Sequence, residues 1–284
     1  MIGWVALLAG AGGSCRLAMD NKQEASSHLM RIEQNSAHLV DLVKRVRSGR
    51  VVPAAFQRPY VWDKSDVIAL CESVLAGYPI GGFLSWIPKE GLDLEKVGRR
   101  RLGPLECASP EQGVALLLDG QNRLATIAWM MLEDGAALPD DMSVAERQTW
   151  GSGEHLVVDL ARRRLAFIDQ AFPTDGFFAP AWTVFGVAAA SMRIRELWNG
   201  PWKSLPPGDV ERGVRWLDLA QDAFRGARVT ETLLDRATVE EARAAFMHIC
   251  RVGKPMTERD FEDAVKWVYP NGRDDMNSLE SVAA

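Results

Sequence analysis

The chain has 284 residues, 47% of them hydrophobic and 25% charged, which excludes global disorder and allows one large domain or two small ones. Its formal net charge of −5 excludes a protein that is basic over its whole surface, so any nucleic-acid site must be a local patch. The four cysteines, Cys15, Cys71, Cys107 and Cys250, contain no C-x-x-C pair; this supports neither a zinc ribbon nor a disulfide scaffold, and reduced thiols in a cytoplasm are expected.

Ile2 to Ala11 is an apolar run too short for a membrane span of about 20 residues, and no basic region precedes it as in a secretory signal. Gly10, Gly12 and Gly13 start like a dinucleotide loop, but the third glycine position holds Cys15. Residues 1–30 therefore read as a poorly ordered leader, or as sequence upstream of a start at Met19 or Met30. No other stretch is apolar enough to span a membrane.

A helix is expected over Ser36–Ser48, with Ser36 as N-cap, Leu39, Leu42, Val43 and Val46 on one face, and Gly49 closing it. Val51 and Val52 open an extended segment that runs through Pro53 into the aromatic stretch 54–62. A second helix starts at the Asp63 cap, carries Val67, Ile68, Leu70, Cys71, Val74 and Leu75, and stops at Gly77. Ile80–Ile87 reads as a strand between prolines, and 89–113 as mostly loop. Val114–Leu118 reads as a fully buried strand that breaks at Asp119-Gly120 into a helix with Leu124, Ile127, Ala128 and Met131 on one side. Leu156–Leu160 and Leu165–Ile168 form a hairpin across Arg162-Arg163-Arg164. Beyond Pro180 the pattern is helical over 181–198, 209–225, 239–251 and 258–269, with one short strand at Val229–Leu233 and a polar tail over 271–284. The strands crowd into the first 170 residues, which predicts an α+β core over 31–170 and a helical C-terminal subdomain over 171–270.

Two constellations carry chemistry. In Asp119-Gly120-Gln121-Asn122-Arg123 a buried strand turns at a glycine into a helix. Gly120 admits close backbone approach, the helix start offers free N–H groups, and Arg123 can grip a phosphate with two N–H bonds. Asp119 is suited to a metal ion or a water. The alternative is structural: Asp119 caps the helix and Arg123 pairs with an acid. In Phe56-Gln57-Arg58-Pro59-Tyr60-Val61-Trp62 the rings pack a core corner, or Gln57 and Arg58 reach a phosphate or base edge while Tyr60 stacks. The basic triplets 99–101 and 162–164, and the net +4 over residues 41–60, are solvated faces unless they converge near Arg58 and Arg123 into a DNA-backbone track. Trp182, Trp198, Trp202, Trp216 and Trp267 fall on helical spacing and are expected in the core.

In order, Val52-Pro53, Phe56–Trp62, Gly77-Tyr78-Pro79-Ile80-Gly81, Asp119–Leu124 and the later Ala245–Ile249 with Gly253–Met256 resemble the N-terminal domain of GmrSD-type restriction endonucleases. The resemblance covers roughly residues 32–268. It implies a ParB/sulfiredoxin-like small sheet core and a nucleotide-binding, nucleotide-hydrolysing module in bacterial phage defence. It carries essential roles onto Gln57, Arg58, Asp119, Gly120, Gln121 and Arg123. On that basis Gly120 and the helix start cradle phosphates, Arg123 and Arg58 neutralise charge, Gln121 and Gln57 orient water, and Asp119 binds Mg2+. Tyr60 and Asn122 complete the nucleotide contacts.

Two positions depart from the family pattern: Asn122 stands where glutamine is usual, and Cys250 where asparagine is. His28, His38, His155 and His248 form no compact histidine–asparagine group, so DNA cutting of the HNH type would fall to a partner polypeptide. DNA, such a nuclease partner and an oligomer are the expected partners. A ParB-like nuclease using the same loop, and a sensor without turnover, are the competing functions.

Overall fold

The computed structural model describes residues 30–250 apart from 89–92, 109–113, 134, 170–175 and 187. In chain order its elements are β1 (Arg31–His38), α1 (Leu39–Arg47), β2 (Val51–Pro53), α2 (Lys64–Leu75), β3 (Phe83–Pro88) and α3 (Leu94–Val97). Next come β4 (Arg101–Leu102), β5 (Leu105–Glu106), β6 (Ala115–Asp119), α4 (Gln121–Met130), α5 (Val144–Trp150), β7 (His155–Asp159), β8 (Arg164–Ile168) and β9 (Phe178–Pro180). The last are α6 (Ala188–Asn199), α7 (Pro207–Gly226), β10 (Arg228–Ala237) and α8 (Val239–Cys250), with short 3-10 turns at Ala181–Phe185 and Pro201–Ser204.

The main sheet is mixed and runs in the order β1-β10-β3-β6-β2. Strand β6 shows why its sequence is an uninterrupted apolar run: Ala115 and Leu117 enter one core, Leu116 and Leu118 the other. A strand covered on both faces has no polar side to alternate with. The first core is closed by Leu39, Leu42, Val43 and Val46 of α1, Val67, Leu70, Cys71 and Val74 of α2, and Leu124, Ile127 and Ala128 of α4. The second is closed by Val97 of α3 and by Ala242 and Phe246 of α8.

The local signals around α2 hold. Asp63 accepts from the Asp66 backbone N–H, Asp66 caps reciprocally, and Gly77 takes a positive φ of 70° just past the end. The hairpin β7–β8 also forms as expected, with β9 added beside β7.

Three expectations are corrected. Ser36 does not cap a helix; it lies in β1, opposite Thr230. The side chains of β1 are mostly exposed, so no apolar alternation marks it, and its backbone partners come from almost two hundred residues away. Strand β10 is longer than Val229–Leu233 and sits inside the main sheet, antiparallel to β1 and parallel to β3. The sheet thus takes an interior strand from the segment that reads as helical. The helix expected over 181–198 is a 3-10 turn and α6, divided at Gly186, whose φ is 60°.

Helix α5 is an addition to the expected elements, although its Ser143–Glu146 capping box is a sequence-level signal. Trp182 and Trp202 are buried as expected, whereas Trp198 is exposed. The leader before Met30, the run 258–269, the tail, Trp267 and the segment 253–256 lie outside the described residues.

Candidate anion-binding cleft

The two sequence constellations, sixty residues apart, are stitched together at the end of β6. Strand β2 stops pairing at Pro53 opposite Leu117. The next carbonyl of β6, that of Leu118, accepts from the side-chain amide of Gln57, which is only 6% exposed. A buried carbonyl needs such a partner where the ladder ends. Four residues on, the Val61 backbone N–H donates to Asn122 Oδ1 at 3.1 Å. Tyr60 Oη bonds Thr126 Oγ1 at 2.9 Å, and the Trp150 indole N–H donates to Tyr60 Oη at 3.4 Å. Tyr60 is 4% exposed, and burial pushes its phenol well above the ordinary tyrosine range. Gln57, Tyr60 and Asn122 are therefore engaged in holding the first segment against β6 and α4.

Gly120 makes the turn at φ 94°, and its Cα faces the Phe83 ring so closely that a Cβ would fall 2.7 Å from Phe83 Cε1 and nearer still to Cδ1. Arg123, one turn into α4, lies over the same ring at 4.9 Å from its centroid. Its Nη1 donates to the Ile80 carbonyl at 2.7 Å and its Nη2 pairs with Asp119 Oδ2 at 3.1 Å. Gly81, at φ 86°, leaves the space that the guanidinium fills. This accounts for the glycine that closes Gly77–Gly81 and for the aspartate and arginine of the later segment. Burial lowers the Arg123 pKa, and the Asp119 charge opposes that shift.

Beside this junction opens a cleft of about 450 Å³, lined by Pro59, Tyr60, Gln121, the triplet Arg99–Arg101, and Ser143 and Glu146 of the α5 cap. Volumes of this order suit small ligands. Neither Arg58 nor Arg123 is among its lining residues. Arg123 turns toward Ile80, Asp119 and Phe83. The triplet 99–101 borders the cleft.

Arg101 and Arg99 differ sharply in environment. Arg101 makes a two-pronged pair with Glu146, Nη1 to Oε1 and Nη2 to Oε2 both at 3.0 Å, and reaches Asp141 at 2.9 Å. Arg99 donates to the Ala55 carbonyl at 3.4 Å and to the Gln57 carbonyl. No carboxylate among the described residues pairs with it; burial first, and then the like charge of Arg101, lowers its pKa. Gln121, the first residue of α4, has its side-chain Oε1 enclosed with no hydrogen-bond partner among the described residues. An amide oxygen left so is an acceptor in want of a donor.

The set does not by itself make a magnesium site. Asp119 supplies one carboxylate, already paired with Arg123, and among the described residues no group of three His, Cys, Asp or Glu could hold a metal ion.

Removing Arg123 is expected to loosen the fold, because its side chain is only 16% exposed and bonds both the Asp119 carboxylate and the Ile80 carbonyl of the loop before β3. Arg123→Ala should cost about 1.5–3 kcal/mol, the range for a hydrogen bond to a charged group, read as a lower midpoint in urea unfolding. An unchanged midpoint would show that the side chain holds nothing in place.

Fold and site together define a mixed α+β module whose two arginine-bearing segments are locked at the end of a central strand beside a basic cleft. Residues 39–250 match the GmrSD restriction endonuclease N-terminal domain, and the chain belongs to that family. Over 103 residues it is also 33% identical to an uncharacterized protein of Methanocaldococcus jannaschii, a match that covers 34% of this chain and 17% of that protein. Among the described residues no helix is long and apolar enough to cross a membrane.

Proposed function

We propose that this chain is the nucleotide-binding module of a restriction system directed at foreign DNA, with the cleft at the start of α4 as its nucleotide site. The observation that carries the reading is the unpartnered Oε1 of Gln121, enclosed beside the arginine triplet at the junction of the two family segments. An N–H or O–H group of a bound nucleotide would satisfy that acceptor, and the cations would balance its phosphates. The family points to DNA as a partner and to cytoplasmic action, and a separate HNH-type nuclease would do the cutting.

Hydrolysis is part of the proposal, with Gln121 orienting the attacking water. The commitments of Gln57 to Leu118 and of Asp119 to Arg123 favour a second reading, a sensor that binds without turnover.

Phosphate release and thermal stabilisation by each of the four nucleoside triphosphates separate the two. Release stimulated by DNA supports the hydrolase, and stabilisation without release supports the sensor. In either case Gln121→Ala should weaken binding roughly tenfold while leaving the fold intact, the cost of an unmade hydrogen bond being about 1–3 kcal/mol. If none of the four stabilises the protein, the cleft is not a nucleotide site.

A further inference from the structure

The segment 97–99 runs beside the first family segment. The Ala55 N–H donates to the Val97 carbonyl and the Arg99 N–H to the Pro53 carbonyl, both at 2.7 Å. From that fixed backbone Arg99 sends its side chain into the cleft wall. Nε and Nη2 both point to the Ala55 carbonyl, and Nη2 also to that of Gln57. Two carbonyls therefore hold the plane of the guanidinium, while Nη1 has no partner among the described residues. Carbonyl oxygens offer partial charge only, and among the described residues no carboxylate forms an ion pair with this half-buried cation; Glu146, whose charge reaches it, is bonded to Arg101 two residues on. A guanidinium already oriented, and bonded to no acid among the described residues, binds an oxyanion without first being ordered.

We infer that Arg99 is an anion-binding residue of this cleft, its Nη1 edge taking an oxygen of a phosphate chain while Nε and Nη2 keep the Ala55–Gln57 segment in place. This deepens, and rests on, the reading of the cleft as a nucleotide site. It adds a residue that lies outside the family segments. It also links occupancy to the first of them, because the guanidinium that meets the ligand holds the backbone of Gln57, whose side chain ends β6.

The test uses inorganic tripolyphosphate and the four nucleoside triphosphates as probes, with calorimetric affinities for the wild-type chain, Arg99→Gln and Arg99→Lys. Arg99→Gln should lose roughly ten- to hundredfold in affinity for tripolyphosphate and nucleotide alike, with Arg99→Lys, which keeps the charge but not the fork, in between. Arg99→Gln that is folded and binds both probes as the wild type does overturns the inference and leaves the nucleotide reading standing. Arg99-dependent tripolyphosphate binding with no nucleotide binding upholds the anion residue and removes the nucleotide reading. A wild-type chain that binds neither probe removes both.

Should Arg99→Gln fail to fold, phenylglyoxal labelling of the wild-type chain serves instead. Saturating tripolyphosphate should slow modification of Arg99, and an unaltered rate counts against the inference.

Discussion

Gly120→Ala is expected to be among the most damaging single substitutions in this chain. The residue adopts φ 94° and ψ 6°, a left-handed conformation that costs an L residue about 1–3 kcal/mol. The added methyl would also enter the Phe83 ring, and overpacking of that kind costs roughly 1–3 kcal/mol more. Phe83 cannot yield freely, since it is itself buried and carries the Arg123 guanidinium on its face. The summed loss of about 2–6 kcal/mol is comparable to the whole stability of many domains, so the variant should be largely unfolded at modest urea. A double-mutant cycle divides the two causes. Combined with Phe83→Leu, the alanine should cost about 1–3 kcal/mol less than alone, the steric part being relieved while the backbone part stays. Strict additivity would place the whole cost in the backbone.

Glu146→Ala is expected to cost about 3 kcal/mol, the lower end of the 3–5 kcal/mol seen when one partner of a buried pair is removed. Its carboxylate is 4% exposed, accepts both prongs of Arg101, and accepts the Ser143 N–H at 2.8 Å as part of the α5 cap. The lower end applies because Arg101 keeps Asp141, which is largely exposed and so a weaker partner. The paired replacement Arg101→Met with Glu146→Leu should recover most of the loss, because no charge is then left buried alone. Midpoints and slopes of urea unfolding check both statements. A Glu146→Ala midpoint within half a molar of wild type would mean that water already screens the pair.

The candidate site was partly legible. The strand–glycine–helix turn at 115–130 is written locally: an apolar run, a residue able to take positive φ, then helical spacing. The same holds for α2 between Asp63 and Gly77, and for the hairpin across 162–164, where caps and periodicity act between neighbours in sequence. Those elements, and the ordered segments that mark the family, were determined by the sequence alone.

Other assignments depended on groups distant in the chain. Arg99 and Arg101 are identical letters in one triplet, yet one is neutralised by Glu146 of α5 and the other rests on carbonyls beyond β2. Arg123, chemically apt for a phosphate, is taken by Asp119, Ile80 and Phe83, a choice fixed by where β3 and the Gly81 turn come to lie. Strand β1 has no apolar alternation, and it forms because β10, nearly two hundred residues away, supplies its hydrogen bonds. Propensity and periodicity report what a segment does with its neighbours in sequence. Which cation keeps its charge unpaired, and which strand finds an edge to pair with, is decided by packing between segments that only the folded chain brings together.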